Sequence, residues 1–356
     1  VSDDSLTQDK AQRRVDRIHA FRAELRQTEQ EGGLRLTEEQ RTTLSAYHDG
    51  IVADLERRFD VDVNPAEKQM SWGMRIASTV GALALAASTY FLFYRFWGVM
   101  ATPLQIAVLI SAPVLAVLVM ELCSRFERTL YFTALAGLFA VACFVLNLSV
   151  LGSIFNMKPS AIPFLFWAVF ALILAYAYDL KLVLVAGILS AMAYVSLSIG
   201  AWGGTYWPFS AERPENYIVA GVVAFAVPVV LRHRARDTFP AIYRLFGLLA
   251  VCMSVLVLSN WGGGSYLPFD PAAVEILYQV AGFVLAGLAI WIGIRSSWKE
   301  VTNLGTLFLI AFLYIKFFDW WWDAMPKYLF FLVLGLVAVG LLVVLRKFRS
   351  ALRGTR

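Results

Sequence analysis

AGILSAMAYVSLSIGAWGG (186–204), FGLLAVCMSVLVLSNWGGG (246–264) and LGTLFLIAFLYIKFFDWWW (304–322) are three copies of one phrase. Each is an apolar helix with a glycine early in its span and a tryptophan loop at its far end. Trp202, Trp261 and Trp320 are evenly spaced, since 261 − 202 and 320 − 261 both equal 59. Gly187, Gly247 and Gly305 precede them by 15, 14 and 15 residues. The first two loops continue alike, as WGGTYWPF (202–209) and WGGGSYLPF (261–269). Weaker copies stand upstream, Gly81 with Trp97-Gly98 and Gly137 with Gly152. A fixed period of this kind means stacked copies of one supersecondary unit, here a helical hairpin.

Composition puts that repeat in a membrane. The chain has 356 residues, 59% hydrophobic and 16% charged, where soluble domains carry about 25% charged residues. Residues 1–73 hold 15 acidic and 11 basic side chains, 26 of the 57 charged groups; the other 283 residues hold 11 and 20. A polar head (1–73), a membrane body (74–346) and a short basic tail (347–356) follow. The excess of Lys and Arg sits at helix ends, so the pI near 9.1 is no nucleic-acid signature.

In the head, Val15, Ile18, Phe21 and Leu25 recur at spacings of three and four, which predicts one amphipathic helix over 8–31. Gly32-Gly33 ends it. Thr37-Glu-Glu-Gln40 has capping-box spacing and opens a second helix, with Leu44, Tyr47, Ile51, Leu55 and Phe59 as its stripe. The two stripes are expected to pack as a small cytoplasmic helical hairpin, with Asn64-Pro65 as the joint. With so charged a beginning, no signal peptide is expected.

Ten apolar spans follow at about 74–94, 103–122, 129–150, 161–178, 182–200, 216–231, 242–259, 273–294, 301–319 and 328–345, each near the length that crosses a bilayer. The fold expected is therefore all-α: a polytopic membrane protein of about ten transmembrane helices, built as five helical hairpins. With residues 1–73 cytoplasmic, fifteen Lys and Arg of residues 74–356 face the cytoplasm. Only Arg95, Lys158, Arg213, Lys316 and Lys327 face the other side. That bias sets both ends of the chain in the cytoplasm and all Trp loops opposite.

Chemistry-bearing motifs are few. No Walker A loop, HExxH or GxSxG is present. Cys123, Cys143 and Cys252 all fall in or at the end of apolar spans and imply no disulfide framework. His19, His48 and His233 lie outside the spans, so neither haem nor an intramembrane zinc site is expected. No cofactor and no metal is assigned. The candidate binding residues are aromatic and charged groups at the loop level. Trp202, Tyr206, Trp261, Tyr266 and Trp320 form a rim with Trp207 and Trp321, although Trp and Tyr also favour membrane interfaces for their own sake. Lys316, Asp319 and Asp323 share one helical face, and Arg95 reaches the same level from the first span. Glu275 and Gln279 share a face of the eighth span, and Asn147 and Asn260 add polar groups. Ionisable groups within spans are costly and mark sites by default; snorkelling of Lys316 to headgroups is the plainer account. The deeper membrane holds almost no ionisable group, which argues against a pump built on buried carboxylates.

The Gly-Gly-Leu-Arg-Leu-Thr-Glu-Glu-Gln run (32–40), Tyr314-Ile-Lys316-Phe-Phe-Asp319 and the closing span 330–345 with Arg346-Lys347 resemble a group of bacterial inner-membrane proteins catalogued only as domains of unknown function. Their shared features are a short cytoplasmic helical segment, about ten spans and a basic-aromatic-acidic stretch near the end. Lys316 stands where that pattern has Arg. The resemblance implies topology, location in the bacterial inner membrane and a candidate site, but no reaction.

Three functions remain open on these grounds. One is a transporter or channel-like protein for a small or amphipathic solute, with an outward aromatic cavity. A second is a non-catalytic scaffold or accessory subunit of a membrane complex. A third is a membrane enzyme on a lipid-linked substrate, with Asp319, Asp323 or Glu275 as acid or base. Membrane lipids and a membrane-protein partner are the expected partners, and nucleic acid is not. The orientation is tested by Thr205→Cys in a cysteine-free background. A membrane-impermeant thiol reagent is expected to reach it only from the non-cytoplasmic side; labelling from the cytoplasmic side alone overturns the topology.

Overall fold

A computed structural model of the chain describes residues 8–33, 35–59, 80, 84, 87–88, 91, 95–126, 131–202, 213–230, 238–322, 325–336 and 339–340. The span expected at 74–94 therefore lies almost wholly outside the described residues. So do Gly81, Asn64-Pro65, His233 and the basic tail. Among the described residues every regular element is a helix. In chain order these are α1 (Gln8–Gln30), α2 (Glu38–Phe59), α3 (Thr102–Phe126), α4 (Tyr131–Ile154), α5 (Ile162–Tyr178), α6 (Lys181–Trp202), α7 (Glu215–Val230), α8 (Phe239–Leu258), α9 (Pro271–Arg295), α10 (Lys299–Trp321) and α11 (Lys327–Leu336). Six of them, α3, α4, α6, α8, α9 and α10, are long and apolar enough to cross a membrane, and α5, α7 and α11 are shorter apolar helices. The chain is a polytopic all-α membrane protein. Its spans expose large apolar side chains, Val222 and Val223 of α7 and Ile276 and Leu277 of α9 among them, the surface that acyl chains require.

The chain divides into two units, residues 1–157 with 174–183, and residues 158–173 with 184–356. In the first unit, α1 and α2 pack around Ala11, Val15, Leu55 and Ile51. The capping box forms as its spacing requires: Gln40 N–H donates to Thr37 Oγ1 at 3.3 Å, and Thr37 N–H donates to Gln40 Oε1 at 3.1 Å. Gly32 takes φ +76° just past α1, the left-handed position that glycine fills without strain. The stripes are narrower than their periodicity suggests. Phe21 and Tyr47 are exposed, and Phe21 instead lies edge-on to His48 at 5.6 Å. Pairs Arg22–Asp49 (2.7 Å) and Arg41–Glu29 (3.2 Å) bind the hairpin at its edges. In α3, Glu121 accepts from Arg125 Nε at 2.9 Å and from the Tyr178 hydroxyl. Asn147 of α4 donates to the Leu109 carbonyl at 2.5 Å, so this buried amide is spent on a neighbouring backbone.

The second unit carries the Trp-loop phrases and a core of Leu248, Cys252, Ala286, Ala289, Val301, Phe308 and Phe312. α8 and α10 lie parallel, clipped together near both ends. Arg244 meets Glu300 at 2.6 Å and stacks on Trp298, 4.3 Å from its ring centroid. Lys316 meets Asn260 at 2.5 Å. Both clips join residues 56 apart, so the helices run in register. They are 16 residues apart along α8 (260 − 244), about 24 Å of helix rise. Polar contacts thus sit at the ends and the apolar core lies between them, as the cost of charge at membrane depth demands.

Gly221 of α7 and Gly247 of α8 pack backbone to backbone. A Cβ at either would stand 2.6 Å from the other's carbonyl oxygen. The periodic glycine Gly247 is thus a helix-packing residue, as small residues in membrane helices usually are. Gly247→Val is expected to lower the unfolding midpoint in detergent by a change worth about 1–3 kcal/mol. Gly287→Ala, where nothing stands within 4 Å of the new carbon, is expected to leave it within error. An unshifted Gly247 variant would contradict the packing described.

Candidate functional site

α8 ends at Leu258, and its last carbonyls are the first parts of the site. Ser259 N–H donates to the Val255 carbonyl and Trp261 N–H to that of Val257. Ser259 Oγ and Asn260 Nδ2 both donate to the Leu256 carbonyl at 2.8 Å. The Ser259 carbonyl and the Asn260 side-chain oxygen then face Lys316 of α10. The ammonium donates to Ser259 O at 2.8 Å, to Asn260 Oδ1 at 2.5 Å and to Asp319 Oδ2 at 3.0 Å. An ammonium has three donors, and all three are used. Lys316 is 1% exposed. A cation placed against the C-terminal carbonyls of a helix is also favoured by the helix dipole. Gln279 of α9 adds a fourth arm, donating to the same Ser259 carbonyl at 3.3 Å.

The loop beyond is held as closely. Gly262–Gly264 forms one 3₁₀ turn. A Cβ on Gly262 would fall 2.1 Å from the Pro271 carbonyl oxygen, so only glycine permits this approach. Gly262 N–H donates to Glu275 Oε1 at 3.1 Å. Glu215, the first residue of α7, accepts from Tyr266 N–H at 2.9 Å, from the Tyr278 hydroxyl at 3.2 Å and from the Ser265 hydroxyl. Arg213 donates to the Ser265 carbonyl and lies over the Tyr266 ring, 5.1 Å from its centroid. Asp270 caps α9 by accepting from Ala272 N–H at 3.2 Å. Residues 259–270 are therefore tied to α7, α9 and α10, while Trp261 (54%) and Phe269 (61%) remain exposed with Tyr266.

Of the candidate residues read from sequence, Lys316, Asp319, Glu275, Trp261 and Tyr266 meet in this arrangement, with Asn260 and Gln279. Lys316 does not snorkel; it turns inward onto α8. Asp319 stays 41% exposed beside it. Arg95 is helical and exposed and belongs to the first unit. Tyr206, Trp207 and Asp323 lie outside the described residues, as do the side chains of Trp202 and Trp320. Two residues of the site were missed: Glu215 and Arg213. A signal for Glu215 was present. Glu215 and Glu275 each stand six residues after the phenylalanine of the repeated Pro-Phe, at 209 and 269.

Chemically, each ionised group here is engaged with a loop or helix-end group. Among the described residues no group of three or more His, Cys, Asp or Glu is placed to hold a metal ion. The arrangement can fix a loop and present aromatic faces.

Residues 35–184 match the model of a family described as "Predicted membrane protein (DUF2157)". The match takes in the capping box, the second helix of the hairpin and the spans as far as the start of α6. It covers less than half of the chain and ends before the Lys316 cluster. No curated protein matches the chain, and no solved structure does. The chain is thus an integral membrane protein similar over 35–184 to a membrane family of unknown function.

Lys316→Met removes three donors and leaves the Ser259 and Asn260 oxygens without their cation. It is expected to lower stability by about 1–3 kcal/mol and to raise deuterium exchange in 259–270 above that in α9. Asp319→Asn, which keeps an acceptor at a half-exposed position, is expected to cost well under half of that. Equal exchange in wild type and the Met variant would show that Lys316 does not hold the loop.

Proposed function

We propose that the chain is a non-catalytic scaffold of a bacterial inner-membrane complex, which presents Trp261, Tyr266 and Phe269 to a membrane-protein partner on the non-cytoplasmic side. What supports this reading is the locked loop. Three helices spend charged or hydrogen-bonding groups on holding residues 259–270 in one conformation, and exposed aromatic faces remain. Rigid aromatic anchors lose little freedom on association and dominate binding energies where they are found.

Transport of a small or amphipathic solute draws on the same cluster, because ionisable groups in membrane spans are functional candidates by default. It requires the loop to open. Opening would strand the polar groups that Lys316, Glu215 and Glu275 now satisfy, each at about 1–3 kcal/mol. Enzymatic use of Glu275 or Asp319 would first have to release each from its partner, Gly262 N–H and Lys316.

A photo-crosslinking amino acid at position 266 tests the scaffold reading in native membranes. The expected product is one discrete protein adduct that copurifies at fixed stoichiometry and falls at least about tenfold in yield with Trp261→Ala, as for an anchor worth roughly 2 kcal/mol. Adducts to lipid alone would sink it.

A further inference from the structure

Lys327 opens α11, and its ammonium is pinned. It donates to the Trp322 carbonyl at 2.7 Å and lies over the Trp322 ring, 3.6 Å from the centroid. The ring is itself fixed, stacked on Phe318 at 4.5 Å and edge-on to Phe330 at 5.3 Å. Phe330 is buried beneath it. A lysine at a membrane helix end ordinarily snorkels freely on a flexible stem. This one is held, with its nitrogen on a carbonyl and over the ring face. The carbonyl takes one of the three donors of the ammonium. Lys327 makes no salt bridge among the described residues.

Below it, Phe331 and Gly335 follow at spacings of four from Lys327 on α11 and are both exposed. Spacing of four puts them in one stripe along the helix. A fixed positive charge at the head of an exposed apolar stripe matches one kind of molecule: a negatively charged head joined to an aliphatic chain. We infer that Lys327, set on the Trp322 ring, is the headgroup contact of a binding site for an anionic phospholipid. The phosphate meets the ammonium and one acyl chain lies along Phe331 and Gly335. The pinning gives the site its selectivity, because the charge is already in place when the lipid arrives and little side-chain freedom is lost.

The purified full chain is equilibrated in mixed detergent micelles with equal phosphatidylglycerol and phosphatidylcholine, and the lipid retained on it is read by native mass spectrometry. Wild type is expected to retain phosphatidylglycerol in preference. Lys327→Ala is expected to lose about fivefold of that preference, the effect of one basic residue at a charged membrane surface, and Lys327→Arg to keep it. Lys299→Ala, a change at another exposed basic residue at a helix start, is expected to leave it unchanged. Equal loss in the Lys327 and Lys299 variants would mean general surface charge, and no loss in Lys327→Ala would mean no headgroup contact; either overturns the site. Displacement of the lipid by an equal concentration of inorganic phosphate would assign the position to a soluble anion and overturn it as well. The photo-adduct at position 266 does not depend on any of these outcomes.

Discussion

A buried ammonium in a membrane helix is the constraint on which the loop end of the second unit depends. Lys316 cannot sit 1% exposed in apolar surroundings unless each of its donors is met. Its three partners come from two places. Asp319 lies one turn along the same helix, and Ser259 and Asn260 lie past the end of α8. The requirement of one side chain thereby fixes where α8 must end relative to α10. It also satisfies a helix terminus whose last carbonyls have no partner within the helix. The Arg244–Glu300 pair does the same at the opposite end, where both groups are largely buried (13% and 21%) and a tryptophan ring covers the guanidinium. Two charged clips and an apolar middle make α8 and α10 a fixed pair, and the rest of the unit is assembled on it.

From that pair the loop conformation follows. With Ser259 and Asn260 held, the chain must turn at once. Gly262 makes the turn possible by passing against the Pro271 carbonyl. Glu275 then takes the Gly262 amide, and Glu215 takes that of Tyr266. Each carboxylate answers a backbone N–H that would otherwise be left unpaired at a membrane boundary. Polar groups are consumed inward, and the aromatic rings are left outward. An exposed Trp on a mobile loop is an interfacial anchor; an exposed Trp on a loop tied at six points has a defined direction, which recognition requires.

Much of this was legible in the residues. Spans follow from long apolar runs, since a helix is the only open-ended structure that satisfies its backbone in lipid. The observed starts and ends of α3 to α10 fall within a few residues of those read from hydropathy. Lys316 and Asp319 were legible as a pair because i,i+3 spacing is local geometry. What Lys316 points at was not, because Ser259 and Asn260 lie 57 and 56 residues away. A lone basic residue near a helix end has the same pattern whether it reaches to headgroups or turns inward. Glu215 escaped notice for the same reason: its partners at 265, 266 and 278 lie on a loop and a helix beyond the next span. Phe21 and Tyr47 fit the stripes of the hairpin by spacing alone, yet the two helices meet over Ala11, Val15 and Leu55, and both rings stay exposed.

The repeat and the lysine of the clamp do not have the same extent. Fifty-nine residues before Lys316 stands Val257, and fifty-nine before Asp319 stands Asn260. The preceding copy of the phrase therefore has no cation at that position and no acid one turn on. Val257 is exposed on α8. The Pro-Phe-x5-Glu element, by contrast, is in both copies. Both carboxylates bond the same loop: Glu275 holds it from the helix that follows, and Glu215 from the helix that precedes. Helix, glycine and Trp loop recur along the sequence, while the lysine of the clamp stands in the third copy and not in the second. The loop at 259–270 is therefore held by Lys316, a group outside the repeat, as well as by the glutamates that recur with it.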